Sequence, residues 1–412
     1  MTAEIVIMNK HGLSLAADSA ITSGQEGVRK VYNSANKLFA LSEQHPVGLM
    51  VYGSASFMEI PWDIILKTFS NELGNKKFKY LSDYMDHFLD FLQKEKRFYH
   101  EEVEEIIVYR TFTTIIKEIV KEVESTIEED ADAKMEQEYV TNCLIKCVKK
   151  NISYYKKKDV YLQMNYDSFL MKFNSTVEEI CKEVIPHETP EELMENLYRL
   201  AYEVVKRDFF SVGSSGFVIT GYGEKEIFPR LLNYRLEGFV FEQLKYKKLK
   251  EKRISYTYDQ YDGTASISAF GQSEMVDSFI EGIEPDMEEA MFGILDKVLK
   301  SYYDQMQQLL NITLTKDQVQ KLEKMGNTIY ESISDAVEEY KENNYLQPLL
   351  GVVRSLPVRE LAEMTETLIN LTSFKRRVTR VTESVGPPID VAVITKGDGF
   401  VWVRRKQVVD PK

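Results

Sequence analysis

The first fifty residues alternate short apolar runs with turn signals, a pattern typical of β-strands joined by tight turns. The predicted strands are residues 3–8, 13–19, 37–41 and 47–52. The first two flank an Asn-Lys-His-Gly turn, so we expect a hairpin that returns Asp18 to the level of Thr2. The fourth strand ends in Gly53, Ser54 and Ala55, small residues that let backbone amides approach a ligand closely.

From residue 57 onward the pattern changes to apolar positions at i, i+3 and i+4, which indicates amphipathic helices. The predicted helices are residues 57–69, 81–95, 101–127, 133–150, 190–208, 287–310, 317–343 and 356–371. Gly326 is a candidate break in one helix, and Pro357 is placed like a helix start. The basic run from 245 to 253 is interpreted as a solvated loop.

Composition narrows the class of protein. A net charge of −13 and 28% charged residues argue against a partner that is nucleic acid or an anionic membrane. No segment is long and apolar enough to span a bilayer, and no signal peptide is recognised, so a cytoplasmic location is expected. The three cysteines are too few for a disulfide framework, and the five histidines are scattered, so neither a metal nor another cofactor is predicted.

Candidate chemistry lies at the start of the chain. Because Thr2 is small, removal of Met1 would be efficient and would leave a free α-amine beside a hydroxyl, a nucleophile and base in one residue. The α-amine titrates at about 7.7 to 8.0 in model compounds, so a nearby cation would suffice to keep it neutral. Lys37 is the candidate cation, and Asp18 the group that orients it.

These segments resemble the opening of a proteasome β-type N-terminal nucleophile (Ntn) hydrolase. The resemblance is carried by Thr2, by Ala-Ala-Asp-Ser at 16–19, by Thr22, by Asn-Lys-Leu at 36–38 and by Tyr-Gly-Ser-Ala at 52–55. It implies that Thr2 is the nucleophile, that Asp18 and Lys37 activate it, and that Gly53 supplies the oxyanion-hole amide. Thr22 and Ser54 are then substrate-binding residues. Lys30 is a rival for the lysine role, although its flanking residues match less well.

Later segments resemble the family more loosely. Residues 217–223 resemble its central strand, residues 267–273 a strand that leads to a Gly-Ser site near the nucleophile, and residues 386–403 its closing hairpin. Gln272 stands where the family has a serine that assists the amine, so that role falls to Gln272 or Ser273. Glu383 and Ser384 are the nearest groups of suitable chemistry before the closing hairpin, where the family has an Asp and a Ser.

The resemblance implies an α+β fold: a four-layer α-β-β-α Ntn-hydrolase sandwich of two antiparallel sheets with large helical insertions. The expected organisation is a first part of the core, an inserted helical subdomain, the central strands, a helical segment packed partly on the core, and the closing hairpin. The corresponding residues are 1–95, 96–210, 211–284, 285–371 and 372–412.

The expected function is cleavage of peptide bonds by a threonine-type hydrolase. Three alternatives remain open: an acylase acting on a small amide, a non-catalytic proteasome-like structural or regulatory subunit, and a helical protein-binding scaffold with a small sheet. The expected partners are a peptide or protein substrate, further copies of the chain in a homo-oligomer, and an unfolding ATPase.

Overall fold

The structure is a computed structural model that describes residues 2–23, 30–32, 35–129, 137–185, 189–256, 262–379 and 385–406. The chain divides into two compact units. The first unit comprises the residues through 38, residues 227–229 and residues from 252 onward; the second comprises residues 39–226 and 230–251.

Strands and helices are numbered in chain order. The strands are β1 Ala3–Asn9, β2 Gly12–Ala17, β3 Ile21–Ser23, β4 Lys30–Tyr32, β5 Leu38–Ser42, β6 His45–Gly53, β7 Ser56–Phe57, β8 Ile60–Pro61, β9 Ser215–Gly221, β10 Arg230–Val240, β11 Gln243–Ile254, β12 Asp262–Gly263, β13 Ala265–Gly271, β14 Asp390–Thr395 and β15 Gly399–Arg404. The α-helices are α1 Trp62–Leu73, α2 Leu81–Lys94, α3 Glu101–Glu129, α4 Gln137–Tyr155, α5 Tyr166–Val184, α6 Glu191–Lys206, α7 Glu274–Glu281, α8 Pro285–Leu310, α9 Lys316–Lys341, α10 Gln347–Val353 and α11 Val358–Val378.

The first unit is built on a five-stranded antiparallel sheet in the order β13-β1-β2-β14-β15. Side chains alternate along β1, so Ala3, Ile5 and Ile7 share one face of the sheet. That face packs with Leu361 and Leu368 of α11 in one hydrophobic cluster. Every residue of β1 is buried, so both faces of this strand are covered.

The second unit contains most of a six-stranded sheet, in the order β12-β11-β10-β9-β6-β5. Strands β6, β9 and β10 pair antiparallel. An aromatic core covers this sheet, with Trp62 of α1 and Phe88 of α2 in ring contact with Phe217 of β9. Two antiparallel sheets with separate helices agree with the expected α+β class.

The predicted helices are present in the described chain, with ends shifted by up to seven residues. The first of them was predicted to begin at residue 57, but β7 and β8 precede it and it begins at Trp62. The predicted break at Gly326 was wrong, because α9 runs through it. Helix α5 was not predicted, although its buried residues Phe169, Phe173, Val177 and Ile180 follow helical spacing. Polar Asn174, Ser175 and Thr176 interrupt its sequence pattern, which makes the apolar stripe harder to recognise.

The interpretation of residues 245–253 as a solvated loop was wrong, because they lie in β11. Lys245 is buried, and its ammonium donates to the carbonyls of Val204, Val205 and Phe209 at 3.4, 2.8 and 2.7 Å. The other lysines of this strand are more exposed. Alternation along a strand places successive charges on opposite faces, so a basic run is compatible with a half-buried strand.

Candidate functional site

An ion pair between Asp18 and Lys37 occupies the centre of the candidate site. The Lys37 ammonium lies 2.7 Å from Asp18 Oδ1, and the two side chains are 7% and 0% exposed. The carboxylate also accepts backbone N–H groups from Ala3 at 3.0 Å, Ala20 at 3.0 Å and Gly386 at 3.3 Å. One ammonium and three amides therefore fix Asp18, which is what a buried carboxylate requires.

The β1–β2 hairpin brings this group together. Its register pairs Glu4 with Ala17, so the next residues along, Ala3 and Asp18, face each other. The Asp18 N–H donates to the Ala3 carbonyl at 3.2 Å, and the Asp18 carboxylate accepts from the Ala3 N–H. This is the hairpin that the sequence predicted, and it fixes Asp18 to the residue that follows Thr2.

Thr2 is 5% exposed and is held by the end of β13. Its carbonyl accepts the backbone N–H of Gln272 at 2.7 Å. Gly271 has a φ of +75°, and a β-carbon there would lie 2.0 Å from the Thr2 carbonyl oxygen. A glycine is therefore required for this close approach. The structure thus brings Gln272 to Thr2 through the main chain, while Ser273 precedes α7 as its N-cap residue.

Glu4 is a site residue that the sequence analysis missed. It is completely buried, and neither carboxylate oxygen has a hydrogen-bond partner among the described residues. Burial raises the pKa of Glu4 well above its usual range; the charge of Lys37 opposes this shift and that of Asp18 adds to it. Burial also lowers the pKa of Lys37, against the stabilising effect of Asp18.

Ser268 adds a second unpartnered polar group. It pairs with Val6 in the β1–β13 register, so it faces the same side of the sheet as Glu4 and is a diagonal neighbour of it. Its buried hydroxyl lacks a hydrogen-bond partner among the residues that the structure describes. Unsatisfied buried polar atoms are rare in proteins and call for a specific reason. Because side chains alternate along β1, Glu4 and Ser268 lie on the same face of the sheet as Thr2.

A second buried ion pair, between Lys406 and Asp390, contacts Ser19, the residue that follows Asp18. Lys406 donates to the Asp390 carboxylate at 2.6 Å, to the Ser19 hydroxyl at 2.9 Å and to the Ala35 carbonyl at 2.7 Å. The Ser19 hydroxyl in turn donates to the Pro388 carbonyl at 2.6 Å. This network ties the segment between Asp18 and Lys37 to the closing hairpin, and it was not predicted from the sequence.

The remaining predicted residues are placed as follows. Gly53 and Ser54 belong to the second unit, where Gly53 ends β6 with a φ of +82° and the Ser54 hydroxyl donates to the Ser56 carbonyl at 2.9 Å. Thr22 lies on β3 opposite Val31. Lys30, the alternative candidate for the lysine, lies on β4, but its side chain is not described. Glu383 and Ser384 lie outside the described residues.

Within the described ranges, no three His, Cys, Asp or Glu side chains are grouped as a metal site would require. The helices in those ranges are each too short or too polar to cross a membrane.

The architecture thus defines a protein of two antiparallel sheets with helices, in which a buried Asp18–Lys37 ion pair accepts the N–H of Ala3, the residue after Thr2. No family model matches the chain, and no curated protein matches it in sequence. Structural comparison finds Anbu from Hyphomicrobium sp. strain MC1. A Gly-1 mutant of Anbu is 10% identical, with 100% of this chain and 89% of that chain covered and a TM-score of 0.27. A second Anbu structure is 8% identical, with 99% and 88% covered and a TM-score of 0.27. Superpositions at this TM-score do not define a shared fold.

Proposed function

We propose that the chain is a threonine-type N-terminal nucleophile hydrolase that cleaves amide bonds, with peptides as substrates. The proposal includes removal of Met1, so that Thr2 carries both the attacking hydroxyl and the α-amine that takes its proton.

The observation that carries the proposal is the buried Asp18–Lys37 pair, attached through the Ala3 N–H to the residue after Thr2. A buried ion pair is weak support for stability, because removing two charges from water costs about as much as their attraction returns. Its position one residue from a candidate nucleophile gives it a chemical use. Lys37 would keep the α-amine of Thr2 neutral, and Asp18 would hold Lys37 in place.

The chemistry follows from these roles. The Thr2 hydroxyl attacks the substrate carbonyl while the α-amine takes its proton, and a backbone N–H stabilises the oxyanion, a role that the family resemblance assigns to Gly53. The amine then passes the proton to the leaving group, which leaves an ester on Thr2. Water, activated by the same amine, hydrolyses the ester and restores the hydroxyl. Gln272 or Ser273 would orient the amine, Thr22 and Ser54 would bind the substrate, and Glu383 and Ser384 would support the network.

The test compares the wild-type chain with Thr2→Ala, Thr2→Ser and the control Thr367→Ala, which changes an exposed threonine of α11. Intact mass spectrometry measures loss of Met1 and covalent addition of a β-lactone or epoxyketone probe. We expect the wild type and the control to lose Met1 and take one probe. Thr2→Ser should keep part of the activity, and Thr2→Ala should lose both the adduct and turnover.

Substrate panels then separate the remaining alternatives. Cleavage of fluorogenic peptides supports the proposal, whereas cleavage of small acyl amides alone would make the protein an acylase. A mature chain that retains Met1, or a Thr2→Ala variant with full turnover, would contradict the mechanism. A processed chain that takes no probe and cleaves neither panel would be a non-catalytic relative.

A further inference from the structure

The helices α8 and α9 form an antiparallel hairpin in the first unit. Phe292 of α8 contacts Tyr330 of α9 with ring centroids 5.6 Å apart. Closer to the connecting turn, a β-carbon on Gly326 would lie 3.8 Å from Leu299 Cβ. These two pairs define the seam along which the helices pack. From the first pair to the second, the residue number increases on α8 and decreases on α9, so the helices are antiparallel.

Each seam residue is preceded by an exposed apolar residue. Met291 precedes Phe292 and is 54% exposed, while Ile329 precedes Tyr330 and is 39% exposed. In an α-helix, a residue points about 100° away from the residue that follows it. Because α8 and α9 are antiparallel, the residues that precede the seam residues point to the same side of the helix pair. Both helices therefore present a second apolar stripe on one common face, away from their seam.

This hairpin face is extensive. It comprises Met287, Met291, Ile294, Val298, Tyr302, Leu309, Met325, Ile329, Ile333 and Tyr340, all of them exposed. If a large side chain fully exposes roughly 200 Å², these residues present about 1,000 Å² of mostly apolar surface. The largest apolar patch of a typical monomer is about 300–600 Å². A standard interface buries about 800 Å² per partner, so the hairpin face suffices for a stable dimer.

Two charged residues of opposite sign flank the α9 stripe at its two ends, each about 80° round the helix from Ile329. Lys321 lies near the connecting turn and Glu339 lies at the other end of α9, and both are exposed. Lys321 also pairs with Asp317 at 2.7 Å, an exposed contact of little energetic weight. In a two-fold association with antiparallel hairpins, the lysine end of one copy meets the acidic end of the other.

We propose that the α8–α9 hairpin face is an interface with a second copy of this chain, in which two hairpins pack face to face as a four-helix bundle. The stripe spacing along α8, with steps of four and three residues from Met287 to Met291, Ile294 and Val298, is the spacing that bundle helices use. Helices that lie on lipid carry Lys and Arg on the polar face, and the acidic end of this hairpin does not fit such a surface.

The test measures the mass of the full-length chain by light scattering over a wide range of concentration. We expect the wild type to associate, and Ile294→Glu combined with Ile329→Glu to give half the mass. The control is Met171→Glu, which changes an 85% exposed methionine of α5 and should leave the mass unchanged. Circular dichroism checks that each variant remains folded.

A charge-reversal experiment keeps the apolar face intact. Glu339→Lys should weaken association of the variant with itself, and so should Lys321→Glu. Mixing the two variants should restore association, because each then offers the opposite sign to the other. A monomeric wild type, a folded glutamate variant of unchanged mass, or a monomer that instead binds lipid vesicles would overturn the proposal.

Discussion

The buried Asp18–Lys37 pair permits a double-mutant cycle on stability. Asp18→Asn keeps the shape of the side chain but leaves the Lys37 ammonium, 7% exposed, without its counter-charge. Breaking a buried pair in this way costs about 3–5 kcal/mol. Lys37→Met should also destabilise the fold, because the buried Asp18 carboxylate then keeps its backbone N–H donors but loses its counter-charge.

The loss of unfolding free energy in the double variant should be smaller than the sum of the losses in the two single variants. Once both charges are gone, no uncompensated charge remains in the interior, and a coupling energy of about 2–3 kcal/mol is expected. The magnitude follows from the burial and the 2.7 Å contact, because an exposed pair would give about 0.2–1 kcal/mol.

Urea unfolding can be followed in the first unit by itself. The chain has two tryptophans, and Trp402 lies on β15 of the first unit while Trp62 lies on α1 of the second. A Trp62→Phe background leaves Trp402 as the fluorescence reporter for all four members of the cycle. Single variants that cost less than about 1 kcal/mol, or that add without coupling, would refute the reasoning about this pair.

Three further predictions concern stability and its pH dependence. The pKa of Glu4 is raised in the folded protein, so the unfolded chain loses this proton first and the free energy of unfolding falls as pH rises above 4.5. Glu4→Gln should therefore be more stable than the wild type at pH 7 but not at pH 4. Equal pH profiles of the two proteins would contradict this prediction. Gly271→Ala should cost at least about 2 kcal/mol in urea unfolding, from its positive φ and the contact with Thr2, and should lower hydrolase turnover. Burial lowers the pKa of Lys245 to about 8, so above this pH the folded protein has lost a proton that the unfolded chain still binds, and stability rises with pH. Between pH 8 and 9.5 the free energy of unfolding of the wild type should increase by about 2 kcal/mol relative to Lys245→Met. A difference that does not change with pH would refute the lowered pKa.

The sequence predicted those parts of the site that depend on local structure. The β1–β2 hairpin is specified by two apolar runs and one turn, so the return of Asp18 toward Thr2 followed from register alone. Most helices could be recognised for the same reason, since their apolar spacing is a local property.

The parts that the sequence missed depend on contacts between distant residues. Glu4 occupies an ordinary strand position, and its burial depends on what covers both faces of β1. Lys245 is buried by carbonyls about forty residues earlier in the chain, which a basic run cannot reveal. Lys406 reaches Ser19 across 387 residues, so that network was equally invisible.

Several local rules are broken together at one end of β1. Glu4 is a buried carboxyl group and Ser268 a buried hydroxyl, neither with a hydrogen-bond partner in the described part of the chain, and Gly271 adopts a left-handed conformation against the Thr2 carbonyl. The two buried groups without a partner, Glu4 and Ser268, cost stability, and a sequence selected for stability alone would lack them. Because both lie on the strands that hold Thr2, their cost supports the proposed site at this end of the sheet.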